Sequence, residues 1–135
     1  MSPIWLVHQY MVAFVDTLCQ YIALAALNGP QDFVRDMVRE FDRRRDFVFK
    51  RLNEIGGFRC SLPKGTFYAL PNIEAFGMPS EKFAEYLAKE AEVLTFPGSA
   101  FGSGGENHVR LSYAASYQKL EEALNRMEKA VRKLL

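Results

Sequence analysis

The chain has 135 residues, 49% hydrophobic and 13% aromatic, which suits one ordinary domain, with or without a piece of another, and excludes disorder by composition. Its 17 basic and 16 acidic residues leave a formal net charge of +1, too balanced to steer the molecule toward nucleic acid, an anionic membrane or an acidic substrate. The two cysteines, Cys19 and Cys60, are too few for a disulfide framework; with no basic secretion-signal segment, they are expected as buried thiols in a reducing, cytoplasmic compartment.

The N-terminus is apolar and carries no lysine or arginine before Arg35. A membrane span needs about 20 mostly apolar residues. His8, Gln9, Asp16 and Gln20 interrupt any such window, so a helix buried against other protein is expected instead. Residues 4–14 do not decide between helix and loop. A helix is predicted from Asp16 or Thr17 to Leu27, ended by Asn28-Gly29-Pro30. A second starts at Asp32 as cap. Val34, Val38, Phe41, Arg45, Val48, Leu52 and Ile55 then step by four and three along one stripe, with Arg45 out of character. Glu40–Arg44 and Asp46–Lys50 have favourable spacing, and Gly56-Gly57 stops the helix. Arg43-Arg44-Arg45 is flanked by Asp42 and Asp46, which favours a salt-bridged face over a nucleic-acid patch.

Strands are predicted at Phe58–Leu62 and Thr66–Leu70 around the turn Pro63-Lys64-Gly65. Ser80 is expected to cap a third helix reaching about Ala91. Strand Val93–Phe96, the glycine-rich loop Gly98–Gly105 and strand His108–Ala114 follow. Ser116 then caps a last helix on which Tyr117, Leu120, Leu124, Met127, Val131 and Leu134 share a face. The order implies an α+β fold: a small mixed sheet of about four strands with helices packed on it.

The loop lacks the helix start of a dinucleotide fingerprint and the Gly-Lys-Ser/Thr of a phosphate loop. It reads either as a plain turn or as backbone that lets a ligand come close. Arg110 is the foremost candidate site residue. Alternation puts His108, Arg110, Ser112 and Ala114 on one face of their strand, and Val109, Leu111 and Tyr113 on the other. A guanidinium there needs a partner, either a carboxylate of this chain or one of a ligand. His8, His108, Cys19 and Cys60 show no metal-ligand spacing, and the lysines fall in a turn or on amphipathic helices.

Several segments together resemble one family. Gln20–Leu27 resembles the Q-x-A-x-x-A-L helix of class I/II aminotransferases, and Phe41–Asp46 their Y-x-x-R-R-D turn. Pro63–Tyr68 resembles P-x-G-x-F-Y, and Val93–Gly102 resembles V-x-x-x-P-G-x-x-F-G. Glu106–Ala114 resembles G-E-x-H-x-R-L-S-Y-A almost position for position. The resemblance covers the chain from about Gln20 onward. It implies a fold-type I enzyme that uses pyridoxal phosphate (PLP) as electron sink to move an amino group from an amino acid to a 2-oxo acid. It implies a homodimer; that no nucleic-acid or membrane partner is expected rests on the charge balance and the interrupted apolar window.

The family's α-carboxylate-binding arginine matches Arg110, with Phe101, Gly102 and Tyr68 expected near the substrate. Residues 1–28 would be the tail of a large PLP-binding domain. Residues 29–135 would form the small domain that closes on substrate, including an interdomain helix over 32–55. The family's lysine motif, S-x-S-K, does not occur in this sequence. The chain alone is therefore expected to hold no PLP and to be inactive. The alternative is a non-catalytic binding or assembly module of the same fold.

Overall fold

A computed structural model describes residues 2–135. The chain divides into two compact units, Met1–Asp36 and Met37–Leu135. The first contains α1 (Pro3–Val12) and α2 (Thr17–Asn28). Pro3 sits in the first turn of α1, where its missing N–H costs nothing. The Asp16 carboxylate caps α2 by accepting the Cys19 amide at 3.0 Å. Every described residue from Ser2 to Asn28 is exposed, Cys19 included, against the expectation of a buried thiol there. Two short helices alone do not enclose a core. No single helix among the described residues is long and apolar enough to cross a membrane.

The long helix α3 (Asp32–Glu54) begins in the first unit and supplies the second with its core stripe. Asp32 is its first helical residue rather than its cap. The stripe splits by burial: Val48 and Leu52 are fully buried, whereas Val38 is 51% exposed. Arg45 tolerates its place because Asp42 and Asp46 bond it at 3.0 and 2.9 Å. Arg44 bonds Glu40 at 2.8 Å, as its spacing suggests. Asp46 is taken by Arg45, and Lys50 faces Glu54 instead.

The sheet has three short strands in the order β1 (Tyr68–Ala69), β3 (Val109–Ser112), β2 (Phe96–Pro97). Both pairings are antiparallel, so the α+β class holds but the sheet is not mixed. The helix between β1 and β2 makes a crossover, yet β3 lies between those strands and no parallel ladder forms. The strand expected at Phe58–Leu62 shrinks to a single bridge, Arg59 to Asn72. The reason is local: the Asn53 side chain occupies both the N–H and C=O of Cys60, at 2.9 and 3.0 Å. Val93 likewise leaves the ladder, because its amide bonds the Leu87 carbonyl and closes α4 (Ser80–Glu90).

The core lies where α3, α4 and α5 (Tyr117–Val131) meet the sheet. Phe83, Leu87, Leu124 and Val131 enter from the later helices, and Val109, Leu111 and Tyr113 from β3 and its continuation. Arg51 ties α3 to α5, bonding Glu128 at 3.0 Å and Asn125 at 2.9 Å. That bond, first, holds the Glu128 carboxyl below its ordinary pKa.

Truncating Leu52→Ala should cost about 2–5 kcal/mol in urea unfolding, and Val38→Ala about 0.5 kcal/mol or less. Equal costs would contradict this division of the stripe. A depressed carboxylate pKa stabilises above the unfolded value and loses that contribution as pH falls through the folded one. Unfolding followed through the acid range should therefore show a steeper stability loss in the native chain than in Arg51→Gln.

Candidate functional site

Strand β3 positions the site. Val109 and Leu111 point into the core, so Arg110 and Ser112 face the opposite way. Register then decides which side chains join Arg110. Phe96 of β2 lies directly opposite it, and Tyr68 of β1 lies opposite Ser112, one diagonal step away. The guanidinium carbon Cζ sits 4.4 Å from the Tyr68 ring centroid and 4.7 Å from that of Phe96. A third ring, Phe101, lies at 4.4 Å. Arginine's flat, weakly hydrated head suits aromatic faces.

Arg110 has no carboxylate partner among the described residues, whereas Arg44, Arg45 and Arg51 of α3 are all paired. Its Nε is buried and makes no hydrogen bond within the described chain. Of the residues expected near a substrate, Tyr68 and Phe101 do meet Arg110. Gly102 follows Phe101 at φ +113°, a conformation that favours glycine. Phe96 was not among them. Its place depends on a register set by chain 14 residues away, and the only local signal was an aromatic ending a strand.

Phe101 ends the 3-10 turn Gly98–Phe101, and a second such turn, Ser103–Gly105, follows. The ends of this loop touch. Gly98 N–H donates to the His108 carbonyl at 2.9 Å, and a Cβ on Gly98 would overlap the carbonyl oxygens of Gly105 and His108. Ser80 supports the loop from α4. It is not the helix cap expected of it: Pro79 holds that position, and Ser80 is the first helical residue, fully buried. The Ser80 amide donates to Glu106 Oε1 at 2.7 Å, so an outside carboxylate caps the helix. The Ser80 hydroxyl reaches Ser99 Oγ at 3.0 Å and Glu106 Oε2 at 3.3 Å, and accepts the Ser99 amide at 3.3 Å. The bond from the Ser80 amide holds the Glu106 carboxyl below its ordinary pKa.

A groove of about 560 Å³, lined by residues including Phe41, Arg45, Lys64, Phe67 and Tyr113, lies elsewhere on the second unit. Its polar groups are largely spent: Arg45 on two aspartates, and the Tyr113 hydroxyl on the Thr66 carbonyl at 2.8 Å. Arg110 keeps donor capacity that no group of the described chain takes up at its Nε. No group of three or more His, Cys, Asp or Glu among the described residues could hold a metal ion.

The model of the family "Aminotransferase class I and II" matches residues 6–127. The chain is 45% identical to aromatic-amino-acid aminotransferase 2 of Thermococcus litoralis, over 97% of this chain and 36% of that protein. It is 44% identical to the aspartate aminotransferase of Pyrococcus abyssi, with the same coverage. The crystal structure of an aromatic aminotransferase from Pyrococcus horikoshii superposes with a TM-score of 0.90 at 47% identity, covering 96% of this chain and 35% of that one. The chain thus spans about a third of the length of these relatives. With its five motifs in order and the match running through the Arg110 strand, the chain belongs to the class I and II aminotransferases.

Proposed function

We propose that this chain is the carboxylate-clamping part of an aminotransferase, with Arg110 binding the α-carboxylate of an amino acid or 2-oxo acid. One observation carries the reading: Arg110 is a cation held between aromatic rings with no anion beside it among the described residues. Three rings fix the head without neutralising it. The free edge of a guanidinium offers two parallel N–H groups, matched to the two oxygens of a carboxylate. A bound carboxylate would neutralise the charge, and the rings would exclude water from the pair.

The residues around Arg110 do not fit PLP. Its neighbours are rings, with neither an amine for an imine nor a second cation for a phosphate. Three lysines are spent on surface glutamates: Lys50 on Glu54, Lys82 on Glu85 at 3.1 Å and Lys133 on Glu90 at 2.9 Å. Its binding therefore falls to the other two thirds of a protein of the relatives' length. Domain membership follows the same reading. Residues 1–28 belong with the large domain, and residues 29–135 form the small one. The exposed apolar side chains of α1 and α2, such as Ile4, Tyr10 and Leu18, support burial against further protein, in the longer chain or in a second copy.

The test is carboxylate binding by the chain itself. With 3-phenylpropionate as probe, the Arg110 Nε–Hε resonance should shift on titration, and 3-phenyl-1-propanol should leave it unmoved. Arg110→Ala should weaken binding by about tenfold or more, and Arg110→Lys should recover only part, because an ammonium lacks the planar fork. Equal binding by the alcohol, or by Arg110→Ala, would contradict the assignment.

A further inference from the structure

We propose that Ser80 and Glu106 are positioning residues for the Arg110 clamp, acting through Phe101. The proposal rests on the carboxylate-binding reading of Arg110.

The three rings around the guanidinium are held in different ways. Tyr68 and Phe96 stand on strands paired to β3, so the ladder places them. Phe101 stands on no strand and is 55% exposed, so no core packing holds its ring. Its position over Arg110 follows from where the ends of its loop are tied. Both ends are tied to one residue. Ser99, two positions before Phe101, and Glu106, five positions after it, each bond Ser80. The contact of Gly98 with Gly105 brings those ends together, so a single side chain can reach both.

Ser80 is itself fixed, because α4 is anchored by Phe83 and Leu87, both fully buried. The order of support therefore runs from core to α4, from Ser80 to the loop, and from Phe101 to the guanidinium. Losing the Ser80 hydroxyl would leave the Ser99 amide and one Glu106 oxygen without that partner. Losing the Glu106 carboxylate would remove the tie between the loop's far end and α4 and uncap that helix. Either change would let Phe101 leave the guanidinium face and let the fork rotate out of register with a carboxylate. Neither residue touches the ligand position, so the effect is one of placement.

The experiment uses the full chain, with Arg110 Hε read by NMR for its ring-current shift and 3-phenylpropionate titrated for its dissociation constant. Ser80→Ala and Glu106→Ala should both move the Arg110 Hε resonance and weaken binding about three- to tenfold, the scale of one lost cation–π wall. Glu106→Gln, which keeps an acceptor oxygen for the Ser80 amide, should restore most of both. In a Phe101→Ala background, Ser80→Ala should change binding no further, since residues acting through one another are not additive. A drop in melting temperature with Arg110 resonance and dissociation constant unchanged would overturn the proposal, as would a full Ser80→Ala effect on top of Phe101→Ala. Should Ser80→Ala fail to fold, the Glu106 pair, at an exposed side chain, decides the question. Absence of probe binding by the native chain would sink the carboxylate reading, while the ring-current comparison would still judge the positioning.

Discussion

An arginine without an anion, wedged among aromatic rings on a central strand, is the constraint around which the second unit is arranged. A buried Nε with no acceptor costs on the order of 1–3 kcal/mol. Cation–π contacts with Tyr68, Phe96 and Phe101 offset a cost of that size, at roughly 0.5–2 kcal/mol each. The balance leaves the guanidinium ordered yet charged. An arginine paired inside its own chain, such as Arg45 with Asp42 and Asp46, has no such capacity left.

Short strands and a pinched loop make that arrangement possible. The ladder is long enough to put Phe96 opposite Arg110 and Tyr68 beside it, and alternation keeps those rings on the face away from Val109, Leu111 and Ala69. The glycine pair at Gly98 and Gly105 lets the loop close at its base and project Phe101 from its far side. Stability and recognition are separated in space. The helices and the inward face of β3 hold the unit together, and the outward face of β3 presents the charge.

Much of this was legible in the sequence, for reasons that can be named. The inward face of β3 follows from its alternation, and the helix ends at Asp16, Gly56 and Ser116 follow from capping and turn chemistry, which act over a few residues. Arg110 stood out because a charge on a half-apolar strand needs an explanation. What escaped was non-local. Phe96 joins the site only through a pairing register. Ser80 looks like a cap from its neighbours, but its partners lie 19 and 26 residues downstream. The strand expected at Phe58–Leu62 fails because a helix side chain, Asn53, takes the Cys60 backbone groups first. Propensity reads none of these long-range competitions.

A crystal structure of the chain soaked with 3-phenylpropionate addresses the central claim most directly. The carboxylate is expected in the plane of the Arg110 guanidinium, with both oxygens about 2.7–2.9 Å from its nitrogens, between the rings of Tyr68, Phe96 and Phe101. A ligand seated instead in the groove beside Arg45, or an Arg110 side chain turned onto a carboxylate of its own chain, would contradict it.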